Sequence, residues 1–208
     1  MHKLSSLPPQ SSVSTNFTTW AFRDGKNRKK LNRQVPHILF ICGLPGSGKS
    51  TLGKKIANKL KFSFIDLDEA VLNDTGISPA QWISEHSEDV FRKKEAEALR
   101  NIKKDADLIV SCGGGTPCFE HNLEWMLAQG TCIYLDVPEG MVLNRLQQGD
   151  DGIRPLINQT DPLASLRELI EKRKECYARI PYRIEPHRVS FAELVDWVRE
   201  KISEDYPR

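Results

Sequence analysis

Eight residues, Gly43-Leu44-Pro45-Gly46-Ser47-Gly48-Lys49-Ser50, match the phosphate-binding loop pattern G-x-x-x-x-G-K-[ST], and their flanks constrain the fold more than any other stretch of the chain. A short apolar run, Ile38-Leu39-Phe40-Ile41-Cys42, precedes them, and Leu52, Ile56 and Leu60 follow at helical spacing. A strand that feeds a glycine-rich turn and then a helix aims successive backbone N–H groups at one point. The positive end of the helix dipole falls on the same point, so a polyphosphate can bind there. Lys49 would reach the β- and γ-phosphates, and the Ser50 hydroxyl would take one position on a magnesium ion. The chain is expected to bind a nucleoside triphosphate.

The rest of the chain repeats the alternation. Apolar, strand-like runs at 37–42, 62–68, 108–112, 131–137 and 182–185 are nearly continuous rather than alternating, as parallel strands buried on both faces require. Between them lie helices with readable starts. Ser78-Pro79-Ala80-Gln81 and Ser190-Phe191-Ala192-Glu193 read as capping boxes, and Asp161-Pro162 opens a third helix. Phe191, Leu194, Val195, Val198 and Ile202 form one stripe on the last helix, which should dock on the sheet. This pattern predicts an α/β fold of three layers, with a parallel sheet of about five strands flanked by helices.

Charge divides the chain. Residues 1–35 hold seven Lys/Arg and one Asp, against a net charge of +2 for all 208 residues. Rich in Ser, Thr, Asn and Pro, this segment is expected to be a disordered basic arm preceding a domain at 36–205. A transit peptide and weak nucleic-acid contact stay open for it, although the first 22 residues lack Arg and nucleic acid is not the expected partner. No run of about 18 apolar residues exists, so no membrane span is expected. The five cysteines are odd in number and without metal-ligand spacing, which suggests reduced thiols in a cytoplasmic protein. A monomer is expected.

Asp66-Leu67-Asp68 ends the second apolar run. Read as strand, residues i and i+2 share a face, so both carboxylates address one pocket; read otherwise, an Asp there caps the next helix. Gly113-Gly114-Gly115-Thr116 ends the third run, where the glycines imply positive φ or a close backbone approach to a ligand. Arg92 and Arg173 lie in charge-rich helical stretches, where most arginines are solvated. The segment 149–156, polar, glycine-punctuated and bearing Arg154, reads as a lid over the phosphates at about 145–160, or as a plain surface loop.

The order and spacing of these features resemble the shikimate kinase family over residues 36–185. They comprise GLPGSGKST at 43–51, DLDEAV at 66–71, FRKKE at 91–95, CGGGT at 112–116, RPL at 154–156, and Lys172-Arg173 followed by Tyr177. The resemblance implies a P-loop kinase that moves the γ-phosphoryl of ATP to the 3-hydroxyl of shikimate with Mg²⁺. The product, shikimate 3-phosphate, would feed aromatic amino-acid biosynthesis. It implies ATP held by Gly46, Ser47, Gly48, Lys49, Ser50 and Thr51, with Arg145 stacking on adenine and Arg154 reaching the transferring phosphoryl group. Asp68 would act as base toward the acceptor, Arg92 and Arg173 would hold its carboxylate, and Gly113, Gly114 and Gly115 would complete its pocket. Ser50 would ligate Mg²⁺ directly and Asp66 through water. The alternative is a gluconate kinase or another small-molecule kinase of this fold. A nucleotide switch is disfavoured, since the Asn58-Lys59 pair lacks the Asp of a guanine motif.

Overall fold

The computed structural model describes residues 36–148 and 161–204. The basic arm (1–35), most of the expected lid with Arg154 (149–160), and residues 205–208 lie outside the described residues. At the centre is β1 (Ile38–Gly43), with all six residues buried. Its side chains alternate between two cores, as a strand covered on both faces must. On one face Ile38, Phe40 and Cys42 pack with Leu99, Leu123, Met126 and Leu166; on the other, Ile41 approaches Gly53.

The other strands are β2 (Ser63–Asp66), β3 (Leu108–Ser111), β4 (Thr131–Leu135) and β5 (Tyr182–Ile184). All pairings are parallel, in the order β2-β3-β1-β4-β5. The helices are α1 (Lys49–Leu60), α2 (Leu67–Thr75), α3 (Pro79–Glu85), α4 (Glu88–Arg100), α5 (Asn122–Gln129), α6 (Glu139–Gln148), α7 (Pro162–Ala178) and α8 (Phe191–Glu204). Each strand's carboxyl end therefore opens on the same edge of the sheet, where ligands collect in folds of this class. The five predicted strands form as expected, each ending one to two residues early apart from β1.

Local chemistry sets the helix starts. Ser190 and Glu193 close a full capping box: Ser190 N donates to Glu193 Oε2 at 2.8 Å and Glu193 N donates to Ser190 Oγ at 3.2 Å. Ser78 Oγ accepts from Gln81 N, and Asp161 Oδ1 from Ala164 N, each with Pro at the first helical position. On α8 the stripe of Leu194, Val195, Val198 and Ile202 is buried, but Phe191, at the first helical position, is 40% exposed.

The structure decides between the two readings of Asp66-Leu67-Asp68. β2 stops at Asp66, and Asp68 lies in the first turn of α2 rather than on a strand face. Asp66 Oδ1 accepts from Asp68 N at 3.1 Å, and this cap turns the chain out of the sheet. Among the cysteines, Cys42, Cys112 and Cys132 are buried, while Cys118 and Cys176 are half-buried with hydrogen-bonded thiols.

Candidate functional site

The turn after β1 bends through Gly46 (φ 76°) and Gly48 (φ 92°), a region that L side chains seldom enter. No side chain caps α1 and no acidic residue lies in its first turn, so its leading N–H groups are left to an anion. Lys49 is buried, and its Nζ donates back to Leu44 O at 2.8 Å, which folds the ammonium over the loop. Arg145 Nη1 donates to Ser47 O at 3.0 Å and Gly46 O at 3.3 Å. Arg145, placed in the expected lid, in fact belongs to the last turn of α6, held against the loop. Thr51 follows within α1.

Beside the loop, Ser50 Oγ lies 3.2 Å from Ser111 Oγ, and Ser111 is the register partner of Asp66 across β2 and β3. Two hydroxyls and one carboxylate suit a hard cation that keeps several waters and borrows phosphate oxygens. Among the described residues no group of three or more His, Cys, Asp or Glu is placed to hold a metal. Ser111 escaped sequence reading because it lies within an apolar run with nothing to mark it.

The second half of the site is built on glycines 113–115. Their torsions avoid the left-handed region, so of the two meanings open for them, close approach is the one that holds, and here it is to side chains of the protein. A Cβ at Gly113 would lie 3.1 Å from Asp68 Oδ1 and clash with Glu95. At Gly114 it would lie 2.8 Å from Arg173 Nη1, and at Gly115 2.6 Å from Nε and Nη2 of Arg92. One backbone tripeptide thus brings Asp68 of α2, Arg92 of α4 and Arg173 of α7 together, although the two arginines are far apart in the chain.

Neither arginine is a solvated surface charge: Arg92 is 7% exposed and Arg173 5%. Arg92 donates from Nε and Nη2 to Glu88 Oε1 at 3.2 and 2.8 Å, and from Nη1 to Glu95 Oε2 at 2.8 Å. Arg173 Nη1 is buried with no hydrogen-bond partner among the described residues. A buried cationic N–H left unmatched costs stability, and an incoming carboxylate would remove that cost. Tyr177, one turn beyond Arg173, donates its hydroxyl to Gly114 O at 2.6 Å and pins α7 to the glycine loop.

Asp68 keeps an accessible face, yet the surrounding chain crowds it away from bulk water. That desolvation, then the neighbouring charges of Glu95 and Asp66, push its pKa up to about 6 against the pull of Lys49 and Arg92. Glu95, fully buried between Arg92 and Thr116, was not singled out from the sequence. Its signal was present, since an acid three residues after Arg92 on a helix shares its face.

A family model described as Shikimate kinase matches residues 45–203. A shikimate kinase of Prochlorococcus marinus is 34% identical over 187 residues, spanning 89% of this chain and 96% of that protein. Among solved structures, a shikimate kinase from Acinetobacter baumannii in complex with shikimate superposes with a TM-score of 0.73 at 26% identity. The match covers 83% of this chain and 96% of that one. A gluconokinase from Sinorhizobium meliloti matches with a TM-score of 0.54 at 18% identity over 82% and 96% of the two chains, a likeness of fold alone.

Proposed function

This chain belongs to the shikimate kinase family, and from that premise we propose how its own residues move the γ-phosphoryl group of ATP onto the 3-hydroxyl of shikimate. The product, shikimate 3-phosphate, serves aromatic amino-acid biosynthesis. The observation that carries the assignment of residues is the glycine tripeptide 113–115, against which the carboxylates of Asp68 and Glu95 and two buried guanidinium groups converge. Shikimate is a small anionic polyol, so it needs cations in a fixed geometry for its carboxylate and an acceptor for its hydroxyls.

Arg173 binds the shikimate carboxylate through its unpartnered Nη1, and Arg92 through the N–H donors that Glu88 and Glu95 leave over. Asp68 accepts the proton of the 3-hydroxyl as its oxygen attacks phosphorus. A base with a pKa near 6 is ionised at neutral pH and still basic enough to take that proton in the transition state. The N–H groups of the loop from Gly46 to Thr51 hold the phosphates, Lys49 follows the charge that develops on the transferring group, and Arg145 flanks the nucleotide. By the resemblance Arg154 adds a second cation there. Ser50 directly and Asp66 through water would hold Mg²⁺, which would supply positive charge against the phosphates. We assign the protein to the cytoplasm as a monomer; no helix among the described residues is long and apolar enough to cross a membrane.

ADP release with shikimate, gluconate, AMP or no acceptor tests this reading. Turnover is expected with shikimate only. Equal turnover with gluconate would remove the two-arginine clamp from the account.

A further inference from the structure

Glu95 is a carboxylate with no exposed surface, which is tolerable only if each of its oxygens is satisfied. Oε2 accepts from Arg92 Nη1. Oε1 accepts from the hydroxyl of Thr116, in the short 3-10 turn Thr116–Cys118 that follows the glycine loop. Thr116 is itself fully buried, and its carbonyl accepts from Asn122 Nδ2 at 2.9 Å. Asn122, the first residue of α5 and also fully buried, uses its other side-chain atom too: Oδ1 accepts from Arg100 Nη1 at 2.7 Å. That same nitrogen donates to Ala96 O at 3.0 Å, inside α4.

The path leaves α4 at Glu95, crosses Thr116 and Asn122, and returns to α4 at Arg100. Two attachment points on one helix resist both sliding along its axis and rotation about it. Apolar contacts of Phe91 and Leu99 supply close packing but tolerate small shifts that hydrogen bonds do not. The tolerance at stake is small, since Arg92 sits where a single methyl on Gly115 would strike it. Glu88 also touches Arg92, but it is 43% exposed at the start of α4, and an exposed i, i+4 pair holds a geometry weakly.

We infer that the buried relay Asn122–Thr116–Glu95 holds Arg92 in register with the glycine loop, so that Thr116 and Asn122 tune acceptor affinity as positioning residues. Both lack exposed surface, so neither reaches the acceptor itself. The inference rests on the assignment of Arg92 to the acceptor carboxylate.

The test is steady-state kinetics of the full chain, with KM for shikimate and for ATP measured separately. Thr116→Val keeps the shape, removes the hydroxyl and strands one oxygen of Glu95. It should raise KM for shikimate about tenfold, with kcat and KM for ATP within about twofold, because losing a hydrogen bond to a buried charge is felt where that charge acts. Thr116→Ser restores the hydroxyl and should return KM to near the parent value. If Thr116→Val does not fold, Asn122→Asp serves: it keeps the contact to Arg100 but cannot donate to the Thr116 carbonyl, and the same split is expected. An unchanged shikimate KM in whichever variant folds overturns the relay, as does a parallel loss in both substrates, or a Thr116→Ser that fails to recover. Failure of the acceptor assignment looks different. There the parent protein shows no shikimate-dependent ADP release, or Arg92→Ala leaves the shikimate KM unmoved.

Discussion

As the proposed base, Asp68 should set the reaction's pH dependence. Its pKa, raised from 3.8 to about 6, means that kcat/KM for shikimate should climb as pH rises through about 6, in step with the ionised fraction of the free enzyme. Asp68→Asn should lower kcat by roughly 10²–10⁴ and flatten that limb while ATP still binds. Full turnover in this variant would take Asp68 out of the mechanism. The same shift has a consequence for folding. Between about 3.8 and 6 the native state holds a proton that the unfolded chain has released, so ionising Asp68 works against the fold as pH rises across that window. Thermal melts should therefore show Asp68→Asn gaining on the parent protein from pH 4 to pH 7; a constant difference would contradict the raised pKa. Arg173 is the other side chain proposed to decide acceptor binding. With Nη1 buried and unmatched, Arg173→Ala should cost on the order of 2–5 kcal/mol in shikimate kcat/KM and leave KM for ATP in place. A defect confined to ATP would assign Arg173 elsewhere.

Among the elements, the glycine loop after β3 and the turn before β4 are the least forgiving. Gly115→Ala would place a methyl 2.6 Å from Nε and Nη2 of Arg92, so the guanidinium must move. Shikimate KM should rise while the fold persists, because a side-chain end can shift where a backbone cannot. Gly130, between α5 and β4, is the opposite case. Its φ of 176° suits any residue, but a Cβ there would overlap the carbonyl oxygen of Ile38 and lie 2.9 Å from its carbon, both part of the central strand. Gly130→Ala should destabilise the fold by about 1–3 kcal/mol, the usual range for overpacking, and a melting temperature within error of the parent would refute that. α2 shows why element boundaries can mislead. Asp-Leu-Asp fits either a strand end or a helix start, and the bond from Asp68 N to Asp66 Oδ1 is what settles it.

For the molecule as a whole, residues 1–33 should be dispensable for chemistry, since the family model begins at residue 45 and the site is assembled by strands and helices from 38 onward. Deleting them should leave kcat/KM for both substrates within about twofold, the scatter of an unperturbed site; a large loss would give the basic arm a role in the reaction. The nucleotide half was legible in the sequence because its donors are consecutive: one strand, one turn and one helix carry it, and glycine and lysine at set spacing need no partner from elsewhere. The parallel sheet was legible from apolar runs that only burial on both faces explains. Strand order was not, because such runs state that a strand is buried and are silent on its neighbours. Nor were Thr116, Asn122 and Ser111, whose meaning depends on contacts with residues distant in the chain. Arg92 and Arg173 stand between these cases. Resemblance named them from the sequence, whereas only the packing of α4 and α7 against the glycine loop buried them and brought both beside it. Local covalent order determines where backbone donors and apolar faces fall, while desolvation and the convergence of distant charges exist only once the chain has closed on itself.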